Sequence, residues 1–244
     1  MPTTLKRTLG YAFPLLMAVL LSAGESPSGD QIAHFKFEGN GLDENRDRPA
    51  WELANTKFED GALFLNGWYD GVKDPPGYRA VLNTPALRPE KFSIALRLKP
   101  TKAHKGAQQS SILSASNWHR WFGLQTDDTC GGKLLVKFNN GDYSFRIEGS
   151  RLRPEIWTVL VCTVDVPARQ ISVYQDGRRV GNIALPADFI LDVLTLPDAQ
   201  FQKNNVLTFT DYSNGQVFTG WIDELLLYRR ILTEDEVAKL PLHP

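Results

Sequence analysis

From Ile32 to Arg229, apolar and polar residues alternate with a period of two in one short segment after another. That period is the signature of strands with one buried face, so the chain is restricted to an all-β fold with little helix. In Ile32–Glu38, Ala33, Phe35 and Phe37 point one way while His34, Lys36 and Glu38 point the other. Phe92, Ile94, Leu96 and Leu98 alternate with Ser93, Ala95 and Arg97. Leu134, Val136 and Phe138 repeat the pattern, as do Tyr143, Phe145 and Ile147. Between those two runs lies Asn139-Asn140-Gly141-Asp142, where Asn and Gly tolerate the positive φ of a tight hairpin. Trp157–Asp165 and Gln170–Gln175 form a second pair across Val166-Pro167-Ala168-Arg169, and Asp176-Gly177 closes the next turn. Further strands are expected at Ala62–Leu65, Arg79–Asn83, Ser111–Ser116, Trp121–Thr126, Val180–Ala184, Val206–Asp211 and Thr219–Arg229.

A single helix is expected, from Glu234 to Leu240. Thr233 with Glu236 three residues later makes a capping box, Leu232 and Val237 are spaced as a hydrophobic staple, and Pro241 prevents continuation. Short strands with one terminal helix predict two packed antiparallel sheets, a jelly-roll-like sandwich. No Ser- or Pro-rich linker and no repeat divides the 244 residues, a length that one sandwich can use alone. The longest loop is expected over Leu185–Asn205.

The first 24 residues read as an address. Lys6 and Arg7 precede a mostly apolar run from Tyr11 to Leu21, and Ser22-Ala23-Gly24 supplies small residues for a signal peptidase. The mature domain is therefore expected at 25–244, secreted or periplasmic. The apolar run is about half the roughly 20 residues that span a bilayer, so no membrane span is expected after cleavage. With 27 Lys+Arg against 28 Asp+Glu, nothing electrostatic points to nucleic acid. A hydrophobic content of 42% excludes a disordered chain, and two cysteines exclude a disulfide-framework mini-protein. In an oxidising compartment Cys130 and Cys162 could close a loop worth about 3 kcal/mol; a buried thiol at mid-strand Cys162 is the equal alternative.

Enzyme motifs are largely missing. There is no G-x-S-x-G, H-E-x-x-H, phosphate loop or C-x-x-C, and His34, His104, His119 and His243 show no metal-ligand spacing. Glycoside hydrolysis needs two carboxylates in one cleft. The candidates, Asp127 with Asp128 and Asp223 with Glu224, are adjacent pairs. Adjacent side chains leave a strand on opposite faces unless the backbone bulges.

The most specific segment is Gly220-Trp-Ile-Asp-Glu-Leu-Leu-Leu-Tyr-Arg-Arg-Ile-Leu-Thr-Glu-Asp-Glu-Val, whose strand portion looks buried on both faces. It resembles the closing signature of laminin-G-like, concanavalin A-like jelly-roll domains. Phe35-Lys-Phe-Glu-Gly39 resembles their opening strand and Phe92-Ser-Ile-Ala-Leu-Arg-Leu-Lys-Pro100 their central strand. Trp157-Thr-Val-Leu-Val with Val173-Tyr-Gln-Asp-Gly177 resembles their paired strands and turn, so the likeness spans about residues 31 to 240. The resemblance implies a scaffold for binding carbohydrates, proteins or steroids. It also implies a structural calcium ion, with Glu38 and Asp223 matching the family's acidic positions. Calcium wants six to eight oxygens. The alternative is that Asp223 accepts backbone N–H bonds and Glu38 is solvated.

A sugar-binding surface needs exposed rings to stack on pyranose faces and polar groups to fix hydroxyls. Trp68, Tyr69 and Tyr78 flank a Gly/Pro-rich turn, and Trp118, His119, Arg120 and Trp121 flank a strand start. If Phe122 and Leu124 face the core, Trp121 and Gln125 face outward, and pairing in sequence order adds Lys137 and Arg146. The alternative is that these aromatics seal sandwich edges and the charges are solvated. The expected function is an exported, non-catalytic binding module for a glycan, of acidic or sulfated type if this face binds. The alternatives are a polysaccharide-degrading glycosidase or lyase on the same fold, or an adhesive domain binding a cell-envelope protein.

Overall fold

In the computed structural model, which describes residues 30–44, 51–54, 56–65, 79–83, 90–101, 110–115, 121–128, 131–191, 206–210 and 218–240, the alternating segments become strands. In chain order they are β1 (Gln31–Phe35), β2 (Glu52–Ala54), β3 (Lys57–Glu59), β4 (Ala62–Leu65) and β5 (Arg79–Asn83). Then come β6 (Lys91–Pro100), β7 (Ser110–Ala115), β8 (Phe122–Asp128), β9 (Gly131–Phe138) and β10 (Tyr143–Leu152). The last are β11 (Thr158–Asp165), β12 (Gln170–Gln175), β13 (Arg178–Ala184), β14 (Val206–Thr210) and β15 (Gly220–Tyr228), followed by helix α1 (Glu234–Ala238).

The described strands form two antiparallel sheets. The first runs β13-β12-β11-β6-β15-β4-β3, with β1 also on β15; the second runs β10-β9-β8-β7-β14-β5-β2. The nine residues of β15 serve two partners along one edge: Gly220–Ile222 pairs with β4 and Leu225–Tyr228 with β1. Sidedness follows the alternation. Phe92, Ile94, Leu96 and Leu98 of β6 enter the space between the sheets, where Phe122, Leu124, Leu134, Val136 and Phe138 meet them from the second sheet. Each such burial is worth about 1.5–3 kcal/mol. At one end Trp51 stacks on Phe209 with centroids 4.7 Å apart, and Phe35 meets Trp51 edge-on at 5.8 Å.

The first sheet has a second, smaller layer on its outer face. Ala95, Val161, Leu226 and Tyr228 point outward and are covered by Leu232, Val237 and Leu240 around α1. The predicted capping box is present: the Thr233 hydroxyl accepts the Glu236 N–H, and the Glu236 carboxylate accepts the Thr233 N–H at 2.8 Å. The helix ends at Ala238, before Leu240, because the Lys239 N–H already closes on the Glu236 and Val237 carbonyls. Asp176 and Gly177 both take positive φ, 50° and 74°, as a two-residue hairpin demands. The Asn139–Gly141 connection is a 3-10 turn, with Asn139 and Gly141 supplying the positive φ.

Cys162 is a free thiol in the core, and burial pushes its pKa up to about 12. Cys130 and residues 1–24, expected above to be a signal peptide, lie outside the described residues. Among the described residues no helix is long and apolar enough to cross a membrane.

Candidate functional site

The outer face of the second sheet is the surface that the alternation singles out. Strands β8, β9 and β10 pair in sequence order. Leu135 is the cross-strand partner of both Gln125 and Arg146, while Lys137 lies two residues along, between Gly123 and Ser144. Gln125, Lys137 and Arg146 therefore share a face, but not as an open cationic patch. Gln125 is buried. Burial also pushes the Lys137 ammonium below its usual range. Arg146 donates through Nε and Nη2 to one Asp127 oxygen, at 2.9 and 2.5 Å, while the other accepts the Lys133 N–H at 2.7 Å.

Trp121 is a correction. It does not face outward with Gln125; it is fully buried and packs edge-on against Phe92 at 5.6 Å, beside Phe122. The strand begins at Phe122, so Trp121 precedes it and is free of the alternation. Its large apolar ring then goes where it removes most surface from water. Trp118, Trp68, Tyr69 and Tyr78 lie outside the described residues.

The outer face of the first sheet carries a constellation that the alternation only half reveals. Antiparallel registers set Trp221 opposite both Lys99 and Phe64. The Lys99 ammonium lies 4.0 Å from the Trp221 ring centroid and 5.1 Å from that of Trp157. The Arg97 guanidinium covers Trp157 at 4.4 Å, Phe64 meets Trp221 at 5.0 Å, and Lys57 lies 4.9 Å over Phe64. Trp157, Trp221, Phe64 and Lys99 are each partly exposed. Two indoles with a cation between them, held on β15, on β6 and at the residue just before β11, form a preorganised face with apolar planes and charged donors. The closing strand is buried on both faces, as its sequence suggests, only from Leu225 to Tyr228; toward its start Trp221 reaches the surface.

The acidic pair behaves as the bulge exception allows. Between Ile222 and Glu224 the β15–β6 register skips Asp223. Ile222 and Leu225 both enter the core, so Asp223 and Glu224 share the outer face. Asp223 accepts a hydrogen bond from Arg97 Nη1. Burial pushes the Asp223 carboxyl above the usual carboxylate range; Arg97 opposes that, and the negative charges of Glu224 and Glu38 add to it. His34 Nδ1 contacts Glu44 at 2.9 Å and its Nε2 lies 3.8 Å from Glu224.

The implied calcium ion fits this set poorly. Glu38 is exposed and lines a cavity of about 270 Å³ with Asp43 and Glu44. Asp43 already accepts the His34 N–H at 3.1 Å, Glu44 is paired with Lys36 and His34, and Asp223 faces a guanidinium. Among the described residues no group of three or more His, Cys, Asp and Glu side chains could hold a metal ion.

Residues 77–238 match a laminin G-type family model described as the Concanavalin A-like lectin/glucanases superfamily. Among solved structures, the chain is similar to domain 4 of AbnA, a GH43 extracellular arabinanase from Geobacillus stearothermophilus, in complex with arabinotriose. The TM-score is 0.62 at 17% identity, over 86% of this chain and 98% of that one. It is also similar to the botulinum neurotoxin serotype D binding domain, with TM-score 0.63 at 12% identity over 86% of this chain. A third is the binding domain of botulinum neurotoxin DC in complex with SialylT, with TM-score 0.62 at 10% identity over 88% of this chain. The chain spans about half the length of the two toxin domains, 50% and 51%. No curated protein matches the chain significantly. At these identities the likeness to solved structures shows the fold alone.

Proposed function

We propose that this chain, which belongs to the Concanavalin A-like lectin/glucanases superfamily, is an exported module that binds a carbohydrate chain without cutting it. The observation that carries the reading is the face formed by Trp221, Lys99 and Trp157. Indole planes are apolar surfaces for the C–H face of a sugar ring, and a cation fixed between them can donate to hydroxyls. Lys99 lies within 5.1 Å of both rings, so little ordering remains to be done when a ligand arrives. The fold neighbours give support of a coarser kind, since one is in complex with arabinotriose and another with SialylT.

The test is a polysaccharide array followed by calorimetry on the purified protein. The reading expects binding to at least one glycan with no release of reducing ends, and binding to none would overturn it. Export expects the mature chain recovered outside the cytoplasm to begin near residue 25; recovery with Met1 in place would contradict that part.

One observation favours a second reading, glycoside hydrolysis: the bulge that brings Asp223 and Glu224 to one face. Reducing-sugar release that vanishes in Asp223→Asn or Glu224→Gln would establish it. The carboxylate of Asp223 is engaged by Arg97, which is why binding is preferred.

A further inference from the structure

The two sheets meet edge to edge where β10, at the margin of the second, passes β13, at the margin of the first. The approach is so close that a Cβ on Gly149 would collide with the Val180 carbonyl, and one on Gly181 with the Ile147 side chain. Beside this seam opens a cleft of about 490 Å³, lined among others by Arg151, Arg153, Arg178, Gln175, Thr158 and Ile156. That volume falls in the ordinary range of small-ligand sites.

Its charge is one-sided. The lining holds three arginines and one carboxylate, Asp176. Asp176 is already in use, since its Oδ1 accepts the Val159 N–H at 2.9 Å and fixes the turn. Several arginines elsewhere on the surface are matched: Arg146 with Asp127, Arg179 with Glu234 and Arg230 with Glu236. Arg151, Arg153 and Arg178 have no ion-pair partner among the described residues.

The walls are also held in place. Gln175 accepts the Arg151 N–H and donates to the Arg151 carbonyl, both at 2.9 Å, stapling β12 to β10. The Glu155 N–H donates to the Pro100 carbonyl at 2.7 Å and anchors the turn that carries Arg153 and Ile156. Ile156 is 52% exposed and offers an apolar ledge. The next residue is Trp157, a member of the aromatic face.

We infer that this cleft is an oxyanion subsite that takes the sulfate ester or carboxylate of an acidic polysaccharide. It makes the module select anionic over neutral chains, and it rests on the glycan-binding reading above. Guanidinium forks match planar or tetrahedral oxyanions through paired charge-assisted hydrogen bonds, which a lysine cannot reproduce.

The experiment titrates the full purified protein with chondroitin sulfate, polygalacturonate, neutral arabinan and duplex DNA at 150 mM NaCl. The wild type is expected to bind the sulfated or the carboxylated polymer, which identifies the oxyanion, and to bind DNA far less. Arg153→Gln/Arg178→Gln is expected to lose about 100-fold, roughly tenfold per arginine. Arg153→Lys/Arg178→Lys keeps the charge and is expected to lose most of that affinity as well. Arg179→Gln, a neighbour outside the cleft, is expected to bind as wild type. Unchanged binding in the Gln double variant, an equal loss in Arg179→Gln, or equal binding of DNA would overturn the subsite. Binding of arabinan alone, or of none of these three polysaccharides, overturns the subsite and leaves the glycan reading to the array, where binding to no glycan removes both.

Discussion

Replacing Glu236 by Gln perturbs one contact set whose size the structure allows to be worked out. Its carboxylate accepts Arg230 Nη1 and Nη2 at 2.7 and 2.6 Å and the Thr233 N–H at 2.8 Å. The Arg230 hydrogen bond, helped by Thr233 and opposed by burial, lowers the Glu236 pKa from 4.5 to about 2. By linkage that difference is worth about 3.4 kcal/mol at neutral pH. The side chain is 39% exposed, so solvent screening reduces the figure to about 1–1.5 kcal/mol. The sign follows from a depressed acid: the stabilisation is full above 4.5 and is lost as pH falls toward 2. Urea unfolding of both proteins at pH 7 is expected to show Glu236→Gln less stable by about 1–1.5 kcal/mol, or about 3–5 °C in Tm. At pH 3 the gap is expected to shrink to under half. A gap that is the same at both pH values, or absent at pH 7, would refute the reasoning.

Trp121→Ala empties a fully buried core position against Phe92 and Phe122 and is expected to cost about 3–5 kcal/mol in urea unfolding; a loss below 1 kcal/mol would put the ring outside the core. Asp223→Leu strands the largely buried Arg97 guanidinium and is expected to cost about 1–3 kcal/mol, which Arg97→Met in the same chain restores in part; additive losses would show the two are uncoupled. A thermal melt with excess chelator is expected to leave the midpoint unchanged, because the acids near Glu38 are engaged by cations or backbone; a drop of several degrees would establish a calcium site.

What could be read in advance is what is local. The alternation of β6, the hairpin at Asp176-Gly177 and the capping box of Thr233 and Glu236 each depend on residues a few positions apart, and each is present. Strands β2 and β3 escaped because three residues hold too little of a period-two pattern to stand out. Trp121 was misplaced by a single residue, since a strand that starts at Phe122 leaves its neighbour unconstrained. The aromatic face depends on pairing between distant segments: Lys99 meets Trp221 only through the β6–β15 register. Half of its signal was nonetheless visible. Lys99 has the same parity as Ser93, Ala95 and Arg97, so it had to point away from the core. The bulge at Asp223 left no sequence trace, because it arises from the register between strands and not from either strand alone.

The role assigned to the indole pair can be put directly to calorimetric titration of the wild type and Trp157→Ala with whichever oligosaccharide binds. Trp157 is partly exposed and outside the core, so its loss is expected to leave Tm within about 2 °C. Affinity is expected to fall about tenfold or more, the cost of removing an aromatic anchor. Wild-type affinity in Trp157→Ala, with the fold intact, would contradict the account.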